Sequence, residues 1–457
     1  MSDRFTIAAE SLWLPGGWQG ARRLTLADGR VAAADALECP PAEAVRWLLP
    51  GLPNLHSHAF QRAMAGHAER QGDPADSFWT WREAMYRLAG RLEPESLHAI
   101  ACQLFVEMLE AGHTWVCEFH YLHHQTDGTP YDDPAAMSRA LLRAAADTGI
   151  GITLLPVLYM TGGFDGRPLA GGQRRFGHDL ESYLRLVESL RGLESDRVVV
   201  GMALHSLRAV PPHALAGCLD SGLAAGRPMH IHIAEQQGEV DQCLAARGAR
   251  PVRWLLDHAP VDEHWCLVHA THMTSDETAA LAATGATVAL CPSTEANLGD
   301  GLFPLLDYRA AGGAWGIGTD SQVGVSPVEE LRWLEYGQRL LHRRRNLVCD
   351  AARPSVGETL LAEALRGGRA CGVGSAPDAM ASGAGAGMPA DLIALAPDEP
   401  ALIGHDETGL LDAWLFASRR PAIDRVWAGG VEVVRGGVHH RREGVLNAFR
   451  KALPGAA

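Results

Sequence analysis

Eight short apolar runs recur through the middle of this 457-residue chain, and helix-like stretches separate them. The runs cover residues 52–58, 114–121, 151–159, 197–206, 229–235, 265–272, 286–294 and 314–320. The helix-like stretches cover residues 134–148, 178–193, 211–226, 239–258 and 274–284. Strands that alternate with helices pair in parallel, and eight of them favour a closed (β/α)8 barrel of the TIM type. An open doubly wound sheet is the alternative, although no GxGxxG sequence follows the first run to support a dinucleotide site.

The two ends of the chain have a different pattern from the middle. Strand-like segments with turn residues between them occur at 4–14, 22–34, 391–396 and 425–437. Neither set is large enough to bury a core alone, so we expect the two ends to pair. The sequence therefore predicts a small β-sandwich domain from residues 1–49 and 385–457, and a barrel over residues 50–384. The Gly/Ala-rich stretch 374–390 is predicted to be a flexible connection.

Composition limits the class of protein. The formal charge is −14, with 40 Lys+Arg against 54 Asp+Glu, which argues against nucleic acid or an anionic membrane as partner. No run of 18 apolar residues could span a bilayer, and the first residues lack the apolar core of a signal peptide. The nine cysteines are scattered without a CxxC pair, so no disulfide framework is expected. These features predict a cytoplasmic protein.

Polar residues end most of the apolar runs, where a buried parallel sheet does not need them. In a barrel the carboxyl ends of the strands meet at one mouth, which is where active sites are built. The residues at these ends are His56, His58, His120, Tyr121, His205, His232, Glu235, His269, His272 and Asp320. This clustering predicts a functional site at the mouth.

A metal site is the most specific prediction from these residues. His56 and His58 are two positions apart, which directs both imidazoles to the same face of a strand. His232 on the fifth run and Asp320 after the eighth would complete a nitrogen-rich set that suits zinc or another first-row divalent ion. The barrel contains no lysine, since the only lysine is Lys451, so a carbamylated lysine cannot bridge two ions. One metal ion is expected.

Glu235 lies three residues after His232 and is predicted to move protons. A bound divalent metal favours ionisation of water near neutral pH, and a nearby carboxylate can accept and return the proton. His269 and Asp320 are the other candidates to orient or polarise the attacking water. The alternative interpretation of Glu235 is an acidic residue at a helix N-terminus. His230 is interpreted as structural.

Four sequence motifs together resemble the mononuclear deaminase branch of the amidohydrolase superfamily. They are LPGLPNLHSHAFQR (49–62), HIHIAE (230–235), the histidine at 269 and GTDS (318–321). Within that branch, HSHAFQRAMAG and DSFWTWREAMYRL (76–88) resemble the deiminases that act on N-formimino-L-glutamate in histidine degradation. The resemblance implies a hydrolase that releases ammonia from an amidine, and it makes a homodimer plausible.

The resemblance also implies roles for particular residues. His56, His58, His232 and Asp320 match the zinc ligands, and Glu235 and His269 match the proton-transfer and water-orienting residues. The expected substrate contacts are Gln61, Arg82, Tyr121, His205 and Arg208.

A substrate with two carboxylates requires local positive charge in an acidic protein. Arg82 and Arg208 could supply it, because guanidinium binds carboxylate bidentately and distant charges are screened beyond roughly 8 Å. Arg82 could instead belong to a solvated helix face, and Tyr121 could be a packing residue. We expect the long 60–95 insertion to close over the substrate.

Three other functions fit the sequence. The first is a deaminase of the same branch that acts on a heterocycle such as guanine, and the second is a hydrolase that releases formamide from the same substrate. The third is a barrel that has lost catalysis and serves in binding or assembly. The ligand types also suit iron or another divalent ion as well as zinc.

Overall fold

The computed structural model describes residues 4–69, 78–373 and 386–453. Its strands are β1 Phe5–Leu14, β2 Gly17–Gln19, β3 Arg22–Ala27, β4 Arg30–Ala36, β5 Val45–Pro50, β6 Leu52–Ser57, β7 His113–His120, β8 Gly151–Leu158, β9 Val198–Val200, β10 Met202–Ser206, β11 Met229–Ile233, β12 Trp265–His269, β13 Thr287–Leu290, β14 Ala314–Ile317, β15 Leu392–Leu395, β16 Ile423–Ala428, β17 Val431–Arg435 and β18 Val438–His439.

The helices surround these strands. They are Phe78–Ala89, Pro94–Ala111, Ala136–Thr148, Leu180–Arg191, Pro212–Asp220, Gln237–Arg247, Pro251–His258, Ser275–Ala283, Pro292–Leu298, Leu305–Ala310, Pro327–His342, Val356–Gly367, Glu407–Ala417 and Arg442–Ala452, with 3-10 turns at Ala59–Met64, Gly171–Phe176 and Gly368–Cys371. No helix in the described part of the chain is long and apolar enough to cross a membrane.

The predicted barrel is confirmed. All eight apolar runs form strands of one parallel sheet in the order β6, β7, β8, β10, β11, β12, β13, β14, and the short β9 precedes β10 beside β8. A parallel bridge between Ser57 and Asp320 joins the last strand to the first. The amide of Asp320 donates to the carbonyl of His56 at 3.0 Å, and the amide of His58 donates to the carbonyl of Asp320 at 3.2 Å. The open doubly wound sheet is therefore excluded.

The predicted helix over 239–258 forms as two helices. Gly248 ends the first of them with a left-handed backbone (φ 72°), a conformation that glycine adopts at little cost. Pro251 begins the second at its first turn, where a missing amide hydrogen does no harm. The helix expected over 211–226 ends at Asp220, just before the left-handed Gly222.

The two chain ends form one separate sheet, as the sequence predicts. β5 is its central link, because it pairs in parallel with β1 and antiparallel with β15. Its apolar side chains form a second core that includes Ile7, Leu24, Leu48, Leu392 and Trp427. We propose the domain boundaries given above; the one at 384/385 and most of the predicted flexible connection lie outside the described residues.

Candidate metal centre and the cavity beside it

Three imidazoles from two barrel strands meet at the carboxyl end of the barrel. The Nε2 atom of His56 lies 3.2 Å from Nε2 of His58 and 3.0 Å from Nε2 of His232. The Oδ1 atom of Asp320 lies 3.3 Å from Nε2 of His58 and 3.5 Å from Nε2 of His56. The structure therefore brings all four predicted ligands to one point.

Hydrogen bonds on the far side of the rings determine which nitrogen faces this point. Nδ1–H of His58 donates to the carbonyl of Phe119 at 2.9 Å, and Nδ1–H of His232 donates to the carbonyl of His205 at 3.0 Å. Each ring then turns an unprotonated Nε2 toward the others, and such lone pairs repel without a cation between them. Backbone carbonyls commonly orient metal-binding histidines in this way, so the donor set fits a divalent metal.

The electrostatics keep the imidazoles neutral, the form that binds metal. Burial lowers the pKa of His56 and of His232 well below the usual value, and the neighbouring imidazoles lower both further. Burial also lowers the pKa of His58, although Asp320 opposes that shift.

Glu235 and His269 lie beside the four candidate ligands. Nε2 of His269 is 3.9 Å from Oε1 of Glu235 and 3.7 Å from Oδ2 of Asp320. Burial raises the pKa of Glu235 to about 7, which suits a group that takes up and returns protons near neutral pH. Burial alone would lower the pKa of His269, but the carboxylates of Glu235, Glu295 and Asp320 outweigh it and raise the pKa to about 10.

Backbone strain accompanies these strand ends. Ala234, His269 and Asp320 have left-handed φ angles of 50°, 68° and 46°, which residues other than glycine rarely adopt. Such conformations persist where the surrounding structure enforces them, and they cluster at functional sites.

A cavity opens beside the candidate metal centre. Its lining includes the five predicted substrate contacts Gln61, Arg82, Tyr121, His205 and Arg208, together with Glu235, His269 and Asp320. The helix Phe78–Ala89 contributes Trp81, Arg82, Met85 and Tyr86 to one wall. That the 60–95 insertion moves to close the cavity stays a prediction, and residues 70–77 of it lie outside the described residues.

Two tyrosines hold polar groups in this cavity. The amide Nε2 of Gln61 donates to the hydroxyl of Tyr121 at 2.8 Å. Nη1 of Arg208 lies 3.4 Å from the hydroxyl of Tyr159. The guanidinium of Arg82 lies 5.5 Å from the ring centre of Tyr86. Both guanidinium groups therefore lie in the same cavity lining as the candidate ligands His58, His232 and Asp320.

Sequence reasoning missed two residues of this site. Oε1 of Glu295 accepts a hydrogen bond from Nδ1–H of His269 at 3.2 Å, and no spacing in the sequence links these positions. Tyr159 ends the third apolar run, and this strand-end position is the feature of the sequence that could have placed it at the site.

Several histidines stand apart from the metal centre. The ring of His120 packs against His123 with centroids 5.2 Å apart, outside the cavity lining. Nε2–H of His230 donates to the carbonyl of Ala370 at 3.1 Å, which agrees with a structural role. His272 likewise does not line the cavity.

The fold and this site together define the class of protein. A model of the amidohydrolase family matches residues 47–433, and the chain belongs to that family. The formimidoylglutamate deiminase of Pseudomonas aeruginosa is 50% identical to it over 454 residues, which cover 98% of each chain.

Solved structures give the same result. The crystal structure of an amidohydrolase from Brucella melitensis matches with a TM-score of 0.91 at 44% identity, over 98% of each chain. An atrazine chlorohydrolase from Arthrobacter aurescens TC1, crystallised with zinc, matches with a TM-score of 0.81 at 19% identity. That match covers 98% of this chain and 100% of the other, and it shows the shared fold.

Proposed function

We propose that this protein hydrolyses N-formimino-L-glutamate to N-formyl-L-glutamate and ammonia, a step of histidine degradation. The observation that carries the proposal is a single cavity that joins the candidate metal centre to Arg82 and Arg208. A substrate that carries an amidine and two carboxylates matches that combination of groups. The 50% identity to the Pseudomonas aeruginosa deiminase supports the same substrate.

The metal in this proposal is a single zinc ion held by His56, His58, His232 and Asp320. When bound, such an ion supplies Lewis-acid chemistry that favours ionisation of a water molecule near neutral pH. The zinc-bound structural relative supports zinc over other divalent ions. We further propose that the enzyme works in the cytoplasm as a homodimer.

The side chains of the cavity then have distinct tasks. Glu235 takes a proton from the attacking water and delivers it to the imino nitrogen of the substrate. His269 and Asp320 hold the water in line with the formimino carbon. A C–O bond forms at that carbon and gives a tetrahedral intermediate that carries OH and NH2. Glu235 then takes the hydroxyl proton and delivers it to the same nitrogen, the C–N bond breaks, and ammonia leaves as the formyl C=O forms.

The remaining contacts fix the substrate. Arg82 and Arg208 bind the two carboxylates, and Tyr159 keeps the guanidinium of Arg208 in place. Gln61, Tyr121 and His205 surround the formimino group. This anchoring places the reacting carbon beside Glu235, and such positioning lowers the entropic part of the barrier.

The test is an ammonia-release assay on protein of measured metal content. N-formimino-L-glutamate is compared with guanine and cytosine, and the products are separated by chromatography. We expect ammonia and N-formyl-L-glutamate in equal amounts from the first compound only. Formamide and glutamate as products, or preferential turnover of guanine, would refute the proposal.

A further inference from the structure

One face of the helix Pro327–His342 is apolar but uncovered. Its exposed positions include Trp333, Tyr336 and Leu340, whose exposed fractions are 46%, 37% and 76%. The opposite face packs into the protein through Val328, Leu331 and Leu334, among others. The core-facing side of the helix already packs against the protein. Within the described part of the chain, Trp333 and Leu340 on the outer side are left largely exposed, and Tyr336 stays partly exposed although it stacks on Phe416. Contiguous apolar surface of this kind marks an interaction site.

Neighbouring residues extend this apolar face on both sides. Leu302 is 48% exposed and lies against Gly337, where an added methyl group would meet its side chain at 2.8 Å. On the other side the ring of Tyr336 stacks on Phe416 with centroids 5.7 Å apart. We call Leu302, Trp333, Tyr336 and Leu340 the outer seam.

The spacing of the outer seam is that of a helix-pairing stripe. Glu329, Trp333, Tyr336 and Leu340 follow one another at steps of four, three and four residues, and all are exposed. The exposed Arg343 comes three residues later, where the helix ends and the backbone becomes left-handed (φ 52°). A repeat that averages 3.5 residues keeps one stripe facing a second helix along its whole length. The most natural occupant of the seam is therefore another helix.

The charges at the two ends of the stripe identify that helix. The stripe begins with Glu329 and ends with Arg343, which is followed by the exposed Arg344 and Arg345. Tyr336 lies midway, seven residues from Glu329 and from Arg343. Among the described residues, neither Glu329 nor Arg343 forms an ion pair within the chain.

A stripe that is acidic at one end, apolar in the middle and basic at the other is complementary to itself when reversed. We propose that the outer seam pairs with the same seam of a second copy, antiparallel and about a two-fold axis near Tyr336. Glu329 then faces Arg343 of the partner subunit, and Trp333 packs beside Leu340 of the partner subunit. Isologous contacts of this kind close after two copies and do not continue into a filament.

This proposal rests on the homodimer proposed above and assigns its interface. Its test measures molecular mass, which does not depend on ammonia release. Failure of the interface proposal can therefore be distinguished from failure of the proposed function. Sedimentation velocity on the full-length, metal-loaded enzyme should give twice the chain mass of 49.0 kDa. A wild-type protein that sediments at the mass of one chain would overturn the proposal.

Variants locate the interface. Leu340→Asp should sediment as a monomer with an unchanged circular dichroism spectrum. The matched control is Leu244→Asp, at a residue that is 50% exposed on the helix Gln237–Arg247, and it should stay dimeric. A dimeric Leu340→Asp protein, or equal dissociation of both variants, would overturn the assignment.

A charge exchange tests the antiparallel register without altering the apolar residues. Glu329→Arg alone and Arg343→Glu alone should each weaken the dimer at least about tenfold, because like charges then face each other. The double variant restores opposite charges across the two-fold axis and should recover the wild-type dissociation constant. Failure of the double variant to recover would overturn this register.

Discussion

Which atom of each imidazole faces the centre determines the chemistry of the site. Peptide carbonyls of the barrel accept Nδ1–H from His58 and His232, so both Nε2 atoms are left for a metal. The third ring, His56, has no hydrogen-bond partner for its buried Nδ1 among the described residues. Two of the three candidate histidine ligands are thus oriented by the backbone itself, before any metal binds.

Glu235 is predicted to carry protons without binding the metal. Glu235→Ala should lower the rate of ammonia release by about 10²- to 10⁴-fold, the usual contribution of a general acid and base. Bound zinc, measured by elemental analysis, should not change. The exposed Glu263→Ala serves as control and should behave as wild type. Near-normal turnover by Glu235→Ala would rule out its role as proton carrier.

Arg208 is predicted to bind a carboxylate of the substrate. Arg208→Met should reduce kcat/KM about 10- to 100-fold, since a hydrogen bond to a charged group contributes about 1.5–3 kcal/mol. Most of this loss should appear in KM. Tyr159→Phe, which removes only the hydroxyl 3.4 Å from the guanidinium, should have a smaller effect in the same direction. An unchanged KM in Arg208→Met would place the carboxylates elsewhere.

Some of the residues at this site can be predicted from the sequence, and one cannot. His56, His58, His232 and Asp320 could be found because strand-end positions in a barrel converge wherever they lie in the chain. Glu295 could not, because it reaches His269 from the helix Pro292–Leu298, and the direction of that helix is set by tertiary packing.

The chain just after β14 lies close to β6 where the barrel closes. A methyl group added at Gly318 would lie 2.9 Å from both the backbone nitrogen and the backbone oxygen of His56. Gly318→Ala should therefore cost about 1–3 kcal/mol of unfolding free energy and also weaken metal binding, because it pushes Asp320 away from His56. Urea denaturation and metal analysis measure the two effects.

The control for this substitution is Gly238→Ala. Nothing lies within 4 Å of a methyl group at Gly238, in the helix Gln237–Arg247. This variant should be neutral or slightly more stable, since alanine is the better helix former. Equal unfolding free energies of wild type and Gly318→Ala would contradict this prediction, because β14 and β6 could then move apart without loss of stability.

Glu330 connects the helix Pro327–His342 to the helix Pro292–Leu298 and should make stability depend on pH. Its buried carboxyl accepts a hydrogen bond from the amide of Ser293 at 2.9 Å, and burial raises its pKa to about 8. The folded protein then keeps a proton that the unfolded chain loses above pH 4.5. Stability from this group is present below pH 4.5 and is lost as the pH rises toward 8.

Glu330→Gln removes this dependence because the amide stays neutral. Relative to wild type, the variant should gain a few kcal/mol of unfolding free energy between pH 5 and pH 8. Urea denaturation at both pH values measures the gain, and Glu263→Gln is the exposed control. A difference between variant and wild type that is constant with pH would contradict the raised pKa.

The limits of prediction differ between strands and helices. The eight barrel strands follow from apolar runs, and seven of them begin within one residue of their predicted starts. The exception is β10, which begins at Met202 because the short β9 takes up the start of the run predicted over 197–206. The single helix predicted over 239–258 forms as two, because Gly248 ends the first helix and Pro251 begins the second. Backbone chemistry at those two residues, rather than the apolar pattern, divides it.

For the molecule as a whole, the candidate metal centre joins residues from the beginning, middle and end of the barrel sequence. Removal of the metal with a chelator should lower the melting temperature by about 5–10 °C, because a ligand that binds only the folded state stabilises it by mass action. Differential scanning calorimetry measures the shift, and added zinc should reverse it. His232→Ala should abolish the response; an unaltered response would place the bound metal elsewhere.

The sheet built from both chain ends makes the order of synthesis matter. β5 leaves the ribosome about 340 residues before β15, its antiparallel neighbour. At about 5–20 residues per second, its edge waits roughly 20–70 s for that partner. During translation β5 therefore lacks its antiparallel partner, and an unpaired strand edge is a template for pairing with another chain until β15 is made.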